Sequence, residues 1–402
     1  MSVRRILIVG GGAIGCSIAY HLAGAGQQVT LLERTAVAAE ASSAAAGMLA
    51  PVAESDEPGA FLDLAVAGLR AFQEDAAAIE AVSGLSVEYV PSGIVRTATD
   101  EKRALSLQAR TRWAKSAGLP VRWLEADELR RLEPSIAGSV RGGLDSPEEG
   151  HVNPRRLTVA LAQGAARRGA RLREGADVEG LVLRGDEVAG VRLTSGELVA
   201  ADVVVLAGGA WSRVLGRGAA ELAVHPVLGQ YVIVRSVPCP FRRVLYGEHV
   251  YLLPRPDGTI YVGATEEPES GFLKRVTAEG VRSLLNAAAD LVPQIDRAEF
   301  VSVGAGLRPG SGDRMPLLGL VRTIGGLAVA AGHFRNGILL SLISGRLLTE
   351  LLVYGRTSMD LSPFAPDRGA VPAGSHLPAI EGVSTCSPPG TGALGALGDE
   401  EA

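Results

Sequence analysis

The most constraining feature of the sequence is a run of glycines directly after its first apolar stretch. Residues 6–9 (ILIV) are typical of a buried parallel strand, and residues 17–23 (SIAYHLA) are typical of a helix. Between them, residues 10–15 (GGGAIG) match the spacing G-x-G-x-x-G. The first glycine allows a tight turn, the second lacks the Cβ that would block a pyrophosphate, and the third lets helix and strand pack closely; they are Gly10, Gly12 and Gly15. The helix N-terminus would then offer free N–H groups and a partial positive charge to phosphate.

An acidic residue stands where a dinucleotide site needs one. The second apolar run, residues 29–32 (VTLL), ends in Glu33, about 20 residues beyond the glycines, where a carboxylate can hold a ribose hydroxyl. The glycine spacing alone is weak evidence. Strand, glycine turn, helix and acid in this order together predict a dinucleotide-binding α/β domain.

Composition and charge exclude several classes of protein. The 402 residues are 47% hydrophobic and 21% charged, which is typical of a soluble globular chain long enough for two domains. The formal net charge of -5 gives no reason to expect nucleic acid or an anionic membrane as partner. The three cysteines, Cys16, Cys239 and Cys386, are too few and too scattered for a disulfide framework or a metal site.

Two observations predict a cytosolic protein. The first strand begins within the first few residues, so we expect no signal peptide before it. The most apolar late stretch, residues 338–353, contains Arg346 and Glu350 and is short for a membrane span, so it favours a buried helix.

A second strand that runs into glycines bears on the choice of cofactor. Residues 203–209 (VVVLAGG) follow two runs that look like hairpin strands, residues 176–182 and 188–193. Flavoproteins of the two-dinucleotide-binding type carry such an element after a β-hairpin insert, and nicotinamide dehydrogenases generally do not. The pattern favours FAD over NAD, although an ordinary further strand of the sheet stays open as the alternative.

Along the chain, the predicted secondary structure changes twice from alternating strands and helices to mostly strands, which predicts two interleaved domains. The second β-rich stretch includes predicted strands at 251–254 and 259–265, joined by a turn at Asp257-Gly258. The Pro-, Gly- and Ala-rich C-terminal stretch has no periodicity and is predicted to be disordered. The predicted division is a cofactor domain of residues 1–85, 151–220 and 305–362, a substrate domain of residues 86–150 and 221–304, and a disordered tail of residues 363–402.

Three separate motifs carry a resemblance to a known family. They are residues 43–49 (SAAAGML), 305–310 (AGLRPG) and 331–340 (AGHFRNGILL). In this order they resemble the D-amino-acid oxidase family of FAD enzymes, and within it the glycine oxidases of the thiamine pathway. The resemblance runs from the N-terminus to about residue 360 and does not cover the tail.

The resemblance implies a fold, a reaction and partners. The implied fold is an α/β FAD-binding Rossmann-type domain, interleaved with an α+β substrate domain built on an antiparallel sheet. The implied reaction is oxidative deamination of glycine, and also of sarcosine and small D-amino acids, to glyoxylate or another 2-oxo acid, ammonia and hydrogen peroxide, with O2 as the acceptor. The implied partners are further copies of the chain, in a homo-oligomer that can be a tetramer, and a thiazole synthase that uses the imine.

The resemblance also implies which residues form the site. Arg308 would pair with the substrate carboxylate, Tyr251 would line the same pocket, and Arg335 would face the substrate side of the flavin. No metal is implied, and FAD is expected to be non-covalent because Cys239 does not lie in a flavin-attachment motif. With the three motif glycines, the implied FAD contacts are Ala13, Ile14, Glu33, Arg34, Ala41, Ser42, Ala46, Gly47, Met48, Val178, His333, Phe334, Arg335, Asn336, Gly337, Ile338 and Leu339.

The chemistry of an amino-acid oxidase supports these roles independently. The enzyme must place the substrate Cα–H against the flavin and accept a neutral amine, which needs no strong protein base. It does need a fixed carboxylate anchor, and a guanidinium such as that of Arg308 offers bidentate geometry. We therefore do not expect His249 or His333 to be a catalytic base.

Glu266 follows the predicted strand at 259–265 and places an acid where an apolar residue would also serve a glycine pocket. If it points inward, it would disfavour acidic substrates and favour amines with a cationic tail. Two other functions also stay open. One is a D-amino-acid dehydrogenase that passes electrons to a quinone, and the other is a flavin-binding scaffold without catalysis.

Overall fold

The computed structural model describes residues 3–216 and 222–368. Its strands are, in chain order, β1 (Arg5–Val9), β2 (Gln28–Leu32), β3 (Met48–Leu49), β4 (Ile94–Ala98), β5 (Arg122–Glu125), β6 (Gly142–Ser146), β7 (Gly150–His151), β8 (Arg171–Arg173), β9 (Val178–Arg184), β10 (Glu187–Leu193), β11 (Leu198–Ala200), β12 (Val203–Leu206), β13 (Val224–Arg235), β14 (Val244–Tyr246), β15 (Tyr251–Pro254), β16 (Thr259–Gly263), β17 (Glu299–Ser311), β18 (Leu317–Leu320) and β19 (Leu327–Ala331). Its α-helices are α1 (Ala13–Gly24), α2 (Ala41–Ala44), α3 (Pro51–Glu54), α4 (Ala60–Ser83), α5 (Glu101–Ser116), α6 (Ala126–Leu132), α7 (Pro154–Arg167), α8 (Ser212–Leu215), α9 (Ala278–Leu291) and α10 (Ser341–Tyr354).

The glycine motif follows the central strand of a six-stranded sheet in the order β18-β19-β12-β1-β2-β8. Strands β19, β12, β1, β2 and β8 run parallel, and β18 is antiparallel to β19. The apolar run of β1 is buried on both faces because its side chains alternate between two layers. Ile6 and Ile8 pack into a core with α1, α4, α7 and α10, whereas Leu7 and Val9 pack into a second core with the strands β9 and β10.

The second core layer is a three-stranded antiparallel sheet in the order β11-β10-β9. It contains the two predicted hairpin strands, which the structure places at Val178–Arg184 and Glu187–Leu193. A third short strand, Leu198–Ala200, was not predicted. The chain then enters β12, the strand that runs into Gly208 and Gly209. This strand pairs in parallel with β1, the strand that precedes the glycine motif.

An eight-stranded sheet in the order β17-β13-β16-β15-β14-β4-β6-β5 forms the other half of the fold. All its pairs are antiparallel except β14 with β4. Side chains alternate between its faces: Leu252 and Val262 pack towards α9, and Tyr251 and Tyr261 point to the opposite face. That opposite face packs on residues 46–53, which belong to the predicted cofactor half.

Two predicted boundaries differ from the structure. The predicted domain boundary at residue 305 falls inside β17, which pairs with β13 on both sides of that residue and continues to Ser311. The predicted disordered tail begins too early, because Phe364 is buried in the helical core and the Arg368 guanidinium bonds to Asp313. Residues 369–402 of that tail, including Cys386, lie outside the described residues. The division into two domains stays a prediction.

The late apolar stretch is a buried helix, as predicted, but it starts later than residue 338. A 3-10 turn at Phe334–Asn336 precedes it, and α10 begins at Ser341. In the described part of the chain, no helix combines the length and the apolar character needed to cross a membrane.

Candidate active site

The glycine turn has one position that protein packing does not explain. Gly10 has a φ of +117°, and a Cβ there would overlap the carbonyl oxygen of Ala207. A Cβ on Gly15 would overlap the carbonyl oxygen of Gly10. A Cβ on Gly12, by contrast, would meet only the Ser42 Oγ, at 3.1 Å. Protein packing therefore leaves the space beside Gly12 largely open.

Polar groups surround this turn as a dinucleotide site requires. The Ala13 N–H, in the first turn of α1, donates to Ser42 Oγ at 2.9 Å. The Glu33 carboxylate accepts from the Gly11 N–H at 2.7 Å and from the Thr35 N–H at 2.9 Å, which fixes it at the end of β2 beside the motif. The positive end of α1 and this carboxylate suit a pyrophosphate and a ribose hydroxyl, respectively.

Other predicted cofactor residues lie near the same edge of the sheet. The Arg34 guanidinium lies over the Trp211 ring, 4.5 Å from its centroid. Val178 is buried in the same core as Leu32 and Val9, the last residues of β2 and β1.

Residues 41–48 connect the glycine turn to the eight-stranded sheet. The Tyr261 hydroxyl donates to the Ala44 carbonyl oxygen at 2.7 Å, and the Arg255 guanidinium donates to the Ala46 carbonyl oxygen at 3.2 Å. Gly47 has a φ of +96°, and a Cβ there would overlap the carbonyl oxygen of Val152. Met48 pairs with His151 in the short two-stranded sheet. Ala41 and Ser42 lie in α2, at the glycine-turn end of this segment.

Residues 333–339 form turns rather than the start of a helix. The Asn336 N–H donates to the His333 carbonyl oxygen at 2.9 Å, and the Leu340 N–H donates to the Asn336 carbonyl oxygen at 2.9 Å. Phe334 has a φ of +48°, in the left-handed region that non-glycine residues rarely adopt. Gly337, Ile338 and Leu339 then lead into α10.

The His333 side chain is buried. Its Nε2 lies 3.1 Å from the Ser344 Oγ, and burial lowers the pKa of the imidazole to about 3. The ring is therefore neutral at physiological pH and a poor base.

A cavity of about 340 Å³ brings together the three predicted substrate residues, Arg308, Tyr251 and Arg335. They come from β17, β15 and the turn after β19, which are far apart in the chain. The remaining lining residues are Tyr246, Glu248, His249, Val250, Gly263, Ala264, Thr265, Glu266, Ser283 and Leu284.

Arg308 is oriented by backbone carbonyls. Its Nη1 donates to the Thr265 carbonyl oxygen at 2.9 Å and to the Leu228 carbonyl oxygen at 3.3 Å. A Cβ on Gly229, the neighbouring residue of β13, would overlap the guanidinium. Among the described residues, no Asp or Glu forms an ion pair with Arg308, so its charge is available to an anionic ligand.

Stacked tyrosines form one wall beside Arg308. The rings of Tyr251 and Tyr261 are nearly parallel with centroids 5.9 Å apart, and those of Tyr251 and Tyr246 are 5.8 Å apart. Burial raises the pKa of Tyr251 and raises that of Tyr246 to about 12. These phenols are therefore neutral at physiological pH and act as hydrogen-bonding groups.

Arg335 is compensated by protein carboxylates. Its Nη2 lies 3.1 Å from Glu54 Oε1 and donates to the Tyr246 hydroxyl, and its Nη1 lies 3.8 Å from Glu266 Oε2. The charge of Glu54 raises the pKa of the guanidinium above its ordinary value. Glu54 and Tyr246 were not predicted as site residues. The pattern VLY at 244–246 marks Tyr246 as a strand residue, but nothing near Glu54 in the sequence indicates its partner.

The comparisons with known proteins agree with this geometry. The family model described as FAD dependent oxidoreductase matches residues 5–351. The chain belongs to this family. FAD is its cofactor.

Individual relatives of this FAD-dependent oxidoreductase cover nearly all of its described residues. Glycine oxidase from Geobacillus kaustophilus is 37% identical over 366 residues, which cover 90% of this chain and 96% of that protein. Its crystal structure matches with a TM-score of 0.87 and 36% identity, covering 91% of this chain and 99% of that one. This similarity confirms the predicted family resemblance and fold class.

Two further similar proteins carry names other than glycine oxidase. The bifunctional protein ThiO/ThiG from Nostoc sp. is 35% identical over 395 residues, which cover 96% of this chain but 59% of that protein. The structure of iminodiacetate oxidase from Chelativorans sp. matches with a TM-score of 0.83 and 28% identity, covering 90% of this chain and 99% of that one.

Proposed function

We propose that this FAD-dependent oxidoreductase oxidises glycine, and also sarcosine and small D-amino acids, with O2 as the electron acceptor. For glycine the balance is glycine, O2 and water giving glyoxylate, ammonia and hydrogen peroxide. The observation that carries the proposal is Arg308, which has no carboxylate partner among the described residues and lines the cavity beside Tyr251. The high identity to glycine oxidases of nearly the same length supports it.

The residues around the glycine turn are proposed to hold FAD without a covalent bond. The first turn of α1, with Ala13 and Ile14, would face the pyrophosphate, and Glu33 would hold a ribose hydroxyl. Residues 41–48 and 333–339 would flank the isoalloxazine ring, since Ser42 bonds to the glycine turn and Arg335 lines the cavity. FAD, when bound, accepts the two electrons of the amine oxidation.

The chain's own residues then have simple tasks. Arg308 pairs with the substrate carboxylate, and its two carbonyl partners keep the guanidinium from swinging away. The neutral Tyr251 hydroxyl lines the same pocket and can hydrogen-bond the carboxylate. Arg335 adds little net charge because Glu54 compensates it.

The imine product is also proposed to supply thiazole assembly in thiamine synthesis. The support is that relatives named bifunctional protein ThiO/ThiG match 90% or more of this chain over 59% and 54% of their own length. A contact with a separate thiazole synthase and a cytoplasmic location follow from that role. The predicted homo-oligomer stays a prediction.

The test is to mix the FAD-loaded protein anaerobically with glycine, sarcosine and D-alanine in turn while the flavin absorbance is recorded. Each sample is then exposed to air and assayed for peroxide. Bleaching by glycine followed by rapid peroxide formation is the expected result. An Arg308→Met variant should keep the flavin spectrum and lose bleaching, whereas Arg297→Met, at an exposed site outside the cavity, should behave as the wild type.

Two other outcomes would contradict the proposal. Bleaching without reaction with O2 would indicate a dehydrogenase that uses a quinone or another acceptor. A flavin that none of the three amino acids bleaches would leave the FAD fold standing and remove the proposed substrates.

A further inference from the structure

Glu266 shares a loop with the contact that orients Arg308. The residue before it, Thr265, accepts a hydrogen bond from Arg308 Nη1 at 2.9 Å through its carbonyl oxygen. Glu266 itself lines the cavity, and its side chain is 37% exposed. The loop therefore fixes one anion-binding group and presents one anion to the same space.

The Glu266 carboxylate lies between two guanidinium groups of unequal exposure. Its Oε2 is 3.8 Å from Arg335 Nη1, and its Oε1 is 3.6 Å from Arg314 Nη2. Arg314 is 75% exposed, so water screens its charge, whereas Arg335 is 30% exposed and lines the cavity. The pair that bears on a ligand is therefore Glu266 with Arg335.

Arg335 then has two carboxylates for one positive charge, because Glu54 is also 3.1 Å away on Nη2. Of the two arginines that line the cavity, only Arg308 is without a carboxylate partner among the described residues. Arg308 can pair with one carboxylate of a ligand. A second carboxylate would have to compete with Glu266 for Arg335, and the negative charge of Glu266 would repel it.

We propose that Glu266 restricts the cavity to amino acids that carry a single carboxylate, by occupying Arg335 and repelling a second carboxylate. This specificity role rests on the proposed oxidation of small amino acids. The charge of Glu266 bears on a second carboxylate but not on a neutral amide in its place, so its removal should change the relative oxidation of two substrates that differ only in that group. The kcat/KM for amines with two carboxylates should rise.

The test uses two substrates of the same size that differ in one charge. Iminodiacetate carries two carboxylates, and in N-(carbamoylmethyl)glycine one of them is replaced by an amide. In Glu266→Gln, the ratio of kcat/KM for iminodiacetate to kcat/KM for its monoamide should rise at least about tenfold, which corresponds to about 1.4 kcal/mol. The gain should lie mainly in KM, because a remote charge affects binding before chemistry.

The matched control is Glu248→Gln, which removes a carboxylate from the same cavity lining, but one that forms no ion pair with Arg335. Its substrate ratio should stay within about twofold of the wild type. An equal rise of the substrate ratio in both variants would show that any carboxylate of the cavity lining repels the second carboxylate. That result would overturn the role of the Glu266–Arg335 pair. An unchanged ratio in Glu266→Gln, with monoamide oxidation intact, would overturn it as well.

A binding measurement on the wild-type holoenzyme needs no variant. Malonate and malonamate differ by the same carboxylate-to-amide change and are not oxidised, so their dissociation constants can be measured from the flavin absorbance. Malonamate should bind at least about tenfold more tightly at pH 8, and equal affinities would overturn the inference. If the wild type oxidises neither glycine nor the monoamide, the proposed function fails instead, so the two failures are distinguishable.

Discussion

Arg308 Nη1, on β17, donates a hydrogen bond at 2.9 Å to the carbonyl oxygen of Thr265, in the loop after β16 on the other side of β13. A second bond to the Leu228 carbonyl oxygen at 3.3 Å fixes the same nitrogen. The other guanidinium nitrogens are left to form a bidentate pair with a carboxylate. The protein thus orients this charge with neutral acceptors and does not neutralise it.

Arg308→Lys should lower kcat/KM for glycine by about 100-fold to 1000-fold, because an ammonium cannot keep both carbonyl contacts and a bidentate carboxylate pair. Peroxide formation at varied glycine concentration measures the change. Arg297→Lys, at an exposed site, is the control and should change kcat/KM by less than about twofold. A similarly small effect at Arg308 would remove it as the carboxylate anchor.

Gly12→Ala and Gly15→Ala should separate cofactor binding from folding. A Cβ at Gly12 meets only the movable Ser42 Oγ, so the FAD-free protein should melt near the wild-type temperature while FAD affinity falls at least about tenfold. A Cβ at Gly15 overlaps the Gly10 carbonyl oxygen, so that variant should lose folded protein even without FAD. Thermal melting of the FAD-free protein and titration with FAD measure the two effects. Unchanged FAD affinity in Gly12→Ala would place the pyrophosphate elsewhere.

Glu54→Gln should destabilise the FAD-free protein by about 2 kcal/mol, because it leaves Arg335 with a weaker partner in a largely buried position. Urea unfolding at pH 7.5 measures the free energy of unfolding. The matched control is Glu74→Gln, which breaks the pair with Arg346 at 2.7 Å; Glu74 is 61% exposed, and the expected loss is below about 1 kcal/mol. Equal losses in the two variants would contradict the special position of Glu54.

Glu149→Gln should remove a pH dependence of stability between about pH 5 and pH 8. Glu149 is buried, its Oε1 accepts from the Val52 N–H at 2.5 Å, and burial raises the pKa of the carboxyl to about 8. Between the ordinary pKa of 4.5 and this value, the unfolded chain loses the proton that the folded protein keeps. The folded state therefore loses stability as the pH rises through that window.

Urea unfolding of the FAD-free protein at pH 5.5 and pH 8 tests this prediction. The stability of Glu149→Gln relative to the wild type should increase from the lower to the higher pH, because glutamine keeps the Oε1 acceptor and has no proton to lose. A difference that stays constant would show that the carboxyl ionises in the folded protein with an ordinary pKa.

The cofactor side of the fold could be predicted because its signals are local. Strand β1, the glycine turn and α1 follow one another directly, and the periodicity of apolar residues identifies each element. Glu33 could be found because it ends the next parallel strand, and parallel neighbours place their ends at one sheet edge. Gly12 was read as a ligand position, and only the structure shows that protein packing leaves it free.

The substrate side could be predicted only in part. The family motifs named Arg308 and Arg335, but no local pattern pairs Arg335 with Glu54 or Glu266, which come from a short helix and from the loop after β16. The buried helix was predicted from residue 338 but begins at Ser341, because an apolar run does not show that its first residues form a turn.

The sequence by itself determined the dinucleotide-binding half, because a strand, a glycine turn, a helix and an acidic residue follow one another within about 30 residues. The FAD cofactor and Arg308 were named by the family motifs. The tertiary structure alone decided that, within residues 3–216 and 222–368, Arg308 has no carboxylate partner while Arg335 is shared between two carboxylates. The physical reason is that the strength of a charge in a cavity depends on its distance to every other charge, and sheet pairing over hundreds of residues sets those distances.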